Sequence, residues 1–110
     1  MSDIKSWKSI CASSEIGSML GVRALLDDVQ VAIFRVGEKL YAVDAIDPFT
    51  KAAVIARGIV GDLQGQTVVA SPIYKQHFNL VTGACLEDEN VALKTFPVKE
   101  EAGTVQLGVC

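Results

Sequence analysis

The chain has little of what disulfide, metal and redox sites require. Among its 110 residues are one histidine, His77, and three widely spaced cysteines, Cys11, Cys85 and Cys110. An odd number of cysteines with no C-x-x-C pair predicts neither a disulfide framework nor a structural metal site. This cysteine usage is typical of a reducing compartment, so we expect a cytoplasmic protein.

Apolar runs, basic charge and phosphate-binding motifs are also missing. No apolar segment has the length of a signal-peptide core or of a membrane span. The net charge of −3 and the pI of about 5.0 disfavour nucleic acid and anionic membranes as partners. The glycines at 58, 61 and 65 lack the lysine of a phosphate-binding loop and are expected to serve turns.

Short alternating segments separated by turn residues dominate what is present. The clearest predicted hairpin covers Val29–Ile46, in which VQVAIFRV and LYAVDAI flank a turn at residues 37–39. Short helices are candidates only at Ser13–Leu20 and Thr50–Gly58. The other predicted strands are WKSIC, GVRALL, the pair IVGDL and TVVAS, the short pieces FNLVTG and CLED, and the pair VALKTFPVKE and TVQLGV. This pattern predicts a single all-β domain.

Four segments in a fixed order resemble the Rieske iron–sulfur domain. They are IDPF, RGIVGD, VASPIYKQHF and TGACLEDE. Rieske domains hold a [2Fe–2S] cluster between a C-x-H and a C-x-x-H loop, with two thiolates on one iron and two imidazoles on the other. Here Asp47 and Phe49 stand at the first pair of ligand positions, and Ser71 and Tyr74 at the second.

The resemblance implies a specific architecture. It predicts a Rieske-like fold of three small antiparallel sheets, with short helical turns only, as one domain over residues 1–110. The former cluster-binding subdomain would cover about residues 45–86, with its two loops side by side. Since all four ligand types have changed, we expect no metal or cofactor in this chain and no catalytic residue. Phe49 or Tyr74 is expected to fill the space that the cluster would occupy.

Among Rieske-like proteins, the four segments are most similar to the small subunit of assimilatory NAD(P)H-dependent nitrite reductase. The resemblance implies a non-catalytic chain that docks on a large subunit carrying FAD, a [4Fe–4S] cluster and sirohaem, which reduces nitrite to ammonium. Neither nucleic acid nor a membrane is expected as a partner. Two alternatives are a Rieske-type ferredoxin of an oxygenase electron-transfer chain and a free-standing Rieske-like binding module.

The segment Ile73, Tyr74, Lys75, Gln76 and His77 is the candidate partner-binding surface, because Rieske cluster loops lie at the tip of the domain. The acidic residues 87–89 are a second candidate, although such clusters are usually solvated loops.

Single side chains leave simpler interpretations open. His77 is either a proton donor or metal ligand or, more simply, a polar loop residue that is exposed or bonded to backbone. Cys85 is either a nucleophile or a small buried hydrophobic residue, and Cys11 is expected to be buried likewise. A mononuclear metal site built from Asp47, Ser71, His77 and Cys85 is conceivable, although serine is a poor ligand.

Overall fold

The computed structural model describes residues 6–17, 19–73 and 76–109, and within them it contains ten strands. Helical structure in this part of the chain is limited to 3-10 turns at Ser13–Glu15 and Ile55–Arg57. None of its helices is long and apolar enough to cross a bilayer. The strands are β1 Ser6–Ala12, β2 Gly21–Leu26, β3 Val29–Val36, β4 Lys39–Asp44, β5 Ile59–Leu63, β6 Gln66–Ala70, β7 His77–Asn79, β8 Thr95–Phe96, β9 Val98–Glu101 and β10 Thr104–Val109.

These strands form three antiparallel sheets, as the resemblance to Rieske domains implies. The terminal sheet has the order β1-β10-β9, the central sheet β2-β3-β4-β8, and the distal sheet β5-β6-β7. The terminal sheet joins the two ends of the described chain, because Ser6 pairs with Val109. The changed ligand positions 47 and 49 follow β4 of the central sheet, and position 71 follows β6 of the distal sheet.

The central sheet is buried on both faces, and this sandwich organises the molecule. Successive side chains of a strand point to opposite faces. Val31 and Ile33 of β3 therefore pack with Val105 and Leu107 of the terminal sheet. The alternate positions, including Phe34, face the distal sheet in a second cluster. The terminal and distal sheets thus lie on opposite sides of the central one.

The predicted strands are found, with corrections at the ends. The hairpin from Val29 ends at Asp44, not Ile46. CLED forms no strand, since Cys85 makes only an isolated bridge to Phe78. The segment VALKTFPVKE is divided: β8 joins the central sheet, whereas β9 pairs with β10 in the terminal one. Pro97 lies between them and has no N–H to continue a ladder.

Both helix predictions were too long. Within residues 13–20 and 50–58 the described structure has only the two 3-10 turns. Each segment is too short to repay the cost of starting an α-helix. Backbone hydrogen bonds to distant parts of the chain take over instead: the Ser13 N–H donates to Gly103 at 2.8 Å and the Ile55 N–H to Ala45 at 3.2 Å.

Gly83 lies in the turn after β7, where any other residue would displace the neighbouring backbone at Leu93. Its φ of +81° is in the left-handed region, and a Cβ there would collide with the carbonyl oxygen of Leu93. The same carbonyl segment is held close because the Leu93 N–H donates to the Gly83 carbonyl at 2.7 Å. Gly103 has a similar φ of +79°, but open space surrounds it.

We therefore expect Gly83→Ala to lower the free energy of unfolding by about 2–4 kcal/mol, since it adds a steric clash to backbone strain. The matched variant Gly103→Ala should lower it by only about 1 kcal/mol, because it carries the strain alone. Urea unfolding of both variants measures the difference. Equal losses would contradict a close approach of Gly83 to Leu93.

Candidate functional site

Two loops meet where the changed ligand positions lie. The first loop follows β4 and contains Asp47 and Phe49, and the second follows β6 and begins at Ser71. The Ser71 hydroxyl donates a hydrogen bond to the Asp47 carboxylate, so the two loops are side by side as expected. Both residues are buried, with exposed fractions of 0% for Asp47 and 1% for Ser71.

The Asp47 carboxylate connects the two loops through separate oxygens. Its Oδ1 accepts the N–H groups of Phe49 at 2.8 Å and Thr50 at 3.4 Å within its own loop. Its Oδ2 accepts the Ser71 hydroxyl from the other loop. No lysine or arginine of the described chain forms an ion pair with it. A buried carboxylate is tolerated only with such donors, so these hydrogen bonds stabilise the site.

Phe49 fills part of the space between the loops and the core. Its ring is half-buried and packs on the cluster beneath the distal sheet, with its centroid 6.3 Å from that of Phe78. The inward packing matches the expectation for Phe49. Tyr74, the other candidate for this role, lies outside the described residues together with Lys75.

The described residues of the second loop are exposed and apolar near its start and hydrogen-bonded at its end. Ile73 is exposed, with 47% of its surface accessible. Gln76 is half-buried, and its carbonyl accepts the Ser71 N–H at 2.9 Å, which closes the loop. The described ends of the proposed binding segment thus lie just after β6 and at the start of β7.

His77 is a strand residue paired with Glu87, not a loop residue as the sequence analysis expected. The two oxygens of the Glu87 carboxylate accept the backbone N–H and the Nδ1–H of His77, each at 2.7 Å. Burial opposes this, yet the His77 hydrogen bonds and charge hold the pKa of Glu87 below its usual range. Glu87 is thus not a merely solvated acid.

The two cysteines differ in burial. Cys85 is buried as expected, and burial raises the pKa of its thiol despite hydrogen bonds from the Glu87 and Asp88 backbone. Cys11 is only half-buried, which corrects its prediction, because it lies in the edge strand β1. Burial, and then the charge of Glu15, raise the pKa of Cys11. Neither thiol is activated toward nucleophilic chemistry.

The donor groups at the four changed positions do not fit a Rieske cluster. That cluster requires two thiolates and two imidazoles. The chain offers a carboxylate, a phenyl ring, a hydroxyl and a phenol instead. Asp47 and Ser71, at the two thiolate positions, are bonded to each other. Within the described ranges no three His, Cys, Asp or Glu side chains gather as metal ligands, so the mononuclear alternative lacks its geometry.

Two features of the site were not predicted from the sequence. The bond between His77 and Glu87 links residues ten apart, and only the return of the chain from β7 brings them together. The sequence did contain a signal for the second feature, the hydrogen bonds that Asp47 accepts from its own loop. Aspartate in such turn segments commonly accepts a hydrogen bond from the backbone N–H two residues on. That signal was present in the DPF segment.

A family model described as a Rieske-like [2Fe-2S] domain matches residues 6–108. The chain is 42% identical over 106 residues to the nitrite reductase (NADH) small subunit of Escherichia coli K12, covering 94% of this chain and 98% of that protein. A solved structure from Mycobacterium tuberculosis, assigned as an NADH-dependent nitrite reductase small subunit, superposes with a TM-score of 0.92 at 42% identity, covering 98% of each chain. The Rieske-like fold is thereby confirmed.

The same domain also occurs inside a longer protein. The chain is 38% identical over 104 residues to the nitrite reductase [NAD(P)H] large subunit of Klebsiella oxytoca, covering 94% of this chain but 11% of that protein. By contrast, a ferredoxin of carbazole 1,9a-dioxygenase from Nocardioides aromaticivorans has a TM-score of 0.81 at 13% identity, covering 94% and 97% of the two chains. That likeness shows a common fold alone.

Ser71→Ala should lower the free energy of unfolding by about 1–3 kcal/mol, because it leaves an oxygen of the buried Asp47 carboxylate without its donor. Ser14→Ala, at an exposed serine, is the matched control and should change stability by less than about 0.5 kcal/mol. Chemical unfolding of both variants tests this. A Ser71→Ala protein as stable as the parent would show that the loops do not depend on this bond.

The Glu87 pair predicts a pH dependence with a definite sign. A carboxylate whose pKa is lower in the folded than in the unfolded chain stabilises the fold above its unfolded pKa, about 4.3 for glutamate. That stabilisation is lost as the pH falls through the lower, folded value. The stability difference between the parent and Glu87→Gln should therefore be largest near neutral pH and shrink in acid.

Thermal unfolding from about pH 7 to about pH 3 measures this difference. Glu89→Gln, which removes a neighbouring exposed carboxylate outside the His77 pair, serves as control. A stability difference for Glu87→Gln that stays constant with pH, or grows in acid, would contradict the assigned pairing.

Proposed function

The chain belongs to the Rieske-like [2Fe-2S] domain family and, within it, to the small subunits of NAD(P)H-dependent nitrite reductase, and we propose that it supports a cytoplasmic large subunit by docking on it. The large subunit would carry FAD, a [4Fe–4S] cluster and sirohaem and reduce nitrite to ammonium. This chain would contribute binding and positioning, with no catalytic residue and no cofactor of its own.

The observation that carries this proposal is the covalent union of the domain with its partner in a relative. The Klebsiella oxytoca large subunit includes a region 38% identical to nearly the whole of this chain. A domain that is separate in one organism and part of the catalytic polypeptide in another is expected to contact the same unit in both. This supports the large subunit as the partner.

The site chemistry supports a docking role over electron transfer. Asp47 and Ser71 satisfy each other at the positions where thiolates would hold iron, and Phe49 packs inward. A ferredoxin of the oxygenase type requires the cluster. We therefore propose that residues 45–86 are a former cluster-binding subdomain within a single domain over residues 1–110. Its loop from Ile73 through Tyr74, Lys75 and Gln76 to His77 would form part of the partner contact.

We expect the tagged chain to form a stable complex with the large subunit of the same organism. Size-exclusion chromatography with light scattering gives the stoichiometry, and nitrite-dependent NADH and NADPH oxidation gives the activity. The isolated small chain should show no turnover, and the complex should reduce nitrite. The carbazole 1,9a-dioxygenase ferredoxin of Nocardioides aromaticivorans, which has the same fold, is a suitable control that should not bind.

Failure of the two purified subunits to associate would refute the docking role. Stoichiometric iron and acid-labile sulfide in anaerobically purified small chain would refute the cofactor-free assignment. These two outcomes are independent, because the first concerns the partner and the second concerns the donor groups at positions 47, 49, 71 and 74.

A further inference from the structure

We propose that the outer face of the distal sheet, centred on Ile59, is the surface that docks on the nitrite reductase large subunit. This proposal rests on the proposed function and extends the partner contact from the loop between Ile73 and His77 onto the strands of the distal sheet. Ile59 lies in the sheet itself, at the start of β5. We call the surface formed by Ile59, Ala70, Ile73 and the His77–Glu87 pair the distal face.

Strand register determines which side chains share this face. Val60, Val69 and Phe78 are paired across the three strands of the distal sheet and are all buried in the core. Side chains alternate between the two faces of a strand. The neighbouring row of Ile59, Ala70 and His77, which is paired in the same way, therefore points outward.

The side chain of Ile59 is unusually exposed for a large hydrophobic residue. Its exposed fraction is 76%, the highest of any large hydrophobic residue in the described chain. Ile73 lies three residues after Ala70, the cross-strand partner of Ile59, and is 47% exposed. Ile59 is thus paired with the last residue of β6, and Ile73 lies in the loop that follows. Exposed branched aliphatic side chains of this kind can supply the apolar centre on which interface energy depends.

Polar side chains and an open strand edge surround Ile59 on the distal face. The Glu87 carboxylate fixes His77 with two hydrogen bonds, so the rim of the distal face is polar and ordered. Gly61, two residues from Ile59 on the same side of β5, leaves open space where a side chain would stand. Among the described residues no strand pairs with the outer edge of β5. A partner can therefore approach this strand closely.

The position of the chain ends favours the large subunit as the occupant. Both ends of the described chain lie in the terminal sheet, and the central sheet separates it from the distal sheet. When the domain is joined to the large polypeptide, as in the Klebsiella oxytoca protein, the connection leaves from the terminal side. The distal face then stays free to contact the catalytic part, and the same contact can form when the chains are separate.

Ile59→Lys tests the proposal with Leu25→Lys as the matched control. Leu25 is 65% exposed but lies in β2 of the central sheet, so it is not part of the distal face. Lysine is well tolerated on edge strands, so neither change should lower the melting temperature appreciably. Titration calorimetry with the purified large subunit should show affinity weakened about tenfold or more for Ile59→Lys and unchanged for Leu25→Lys. Ile59→Val, which keeps the branched shape, should retain binding.

The outcomes separate this proposal from the proposed function. If the parent chain binds and Ile59→Lys binds equally well, the distal face is wrong while the docking role stands. If Leu25→Lys weakens binding as much as Ile59→Lys, the assignment to the distal face is also overturned. If Ile59→Lys abolishes a dimer of the parent chain without altering affinity for the large subunit, the occupant is a second copy. Failure of the parent chain to bind refutes both proposals.

Discussion

The hydrogen bond between Ser71 and the Asp47 carboxylate is the interaction on which the distal half of the molecule depends. It joins the loop that follows a strand of the central sheet to the loop that follows a strand of the distal sheet. Both side chains are buried, so neither can exchange its partner for water without opening the site. An unsatisfied buried carboxylate is costly, and this makes the contact specific as well as stabilising.

This contact replaces metal coordination with hydrogen bonding while leaving the frame in place. A bridging cluster would hold the two loops through strong bonds to sulfur and nitrogen. Here the two loops are held by hydrogen bonds among a carboxylate, a hydroxyl and two backbone N–H groups. The ring of Phe49 packs near Phe78 in the apolar space beside them. The hydrogen-bonded contact between Asp47 and Ser71 keeps the two loops side by side without a metal. This arrangement supports the proposed docking role.

Local patterns predicted the strands because each depends on residues close in sequence. The hairpin after Val29 follows from alternation and from Gly37, whose φ of +63° suits the turn. The resemblance placed the two loops together and identified positions 47 and 71. It could not provide the pairing of His77 with Glu87, which depends on the return of the chain after β7. Nor could it provide the exposure of Ile59, which depends on the register of β5 in the distal sheet. The division of the segment VALKTFPVKE at Pro97 depends on β8 pairing with the central sheet and β9 with the terminal sheet. These pairings are tertiary contacts that local sequence does not determine.

The pairing of β1 with β10 also determines when the fold can be completed. The first and last strands of the described chain lie side by side, so the terminal sheet joins residues separated by nearly the whole sequence. The β2–β3–β4 meander needs only neighbouring residues and can form while the chain is still being synthesised. One side of the central sheet remains uncovered until β10 is available to pack on it, because Val105 and Leu107 supply part of that core. The pairing of β10 with β1 is therefore the step that completes the core on this side.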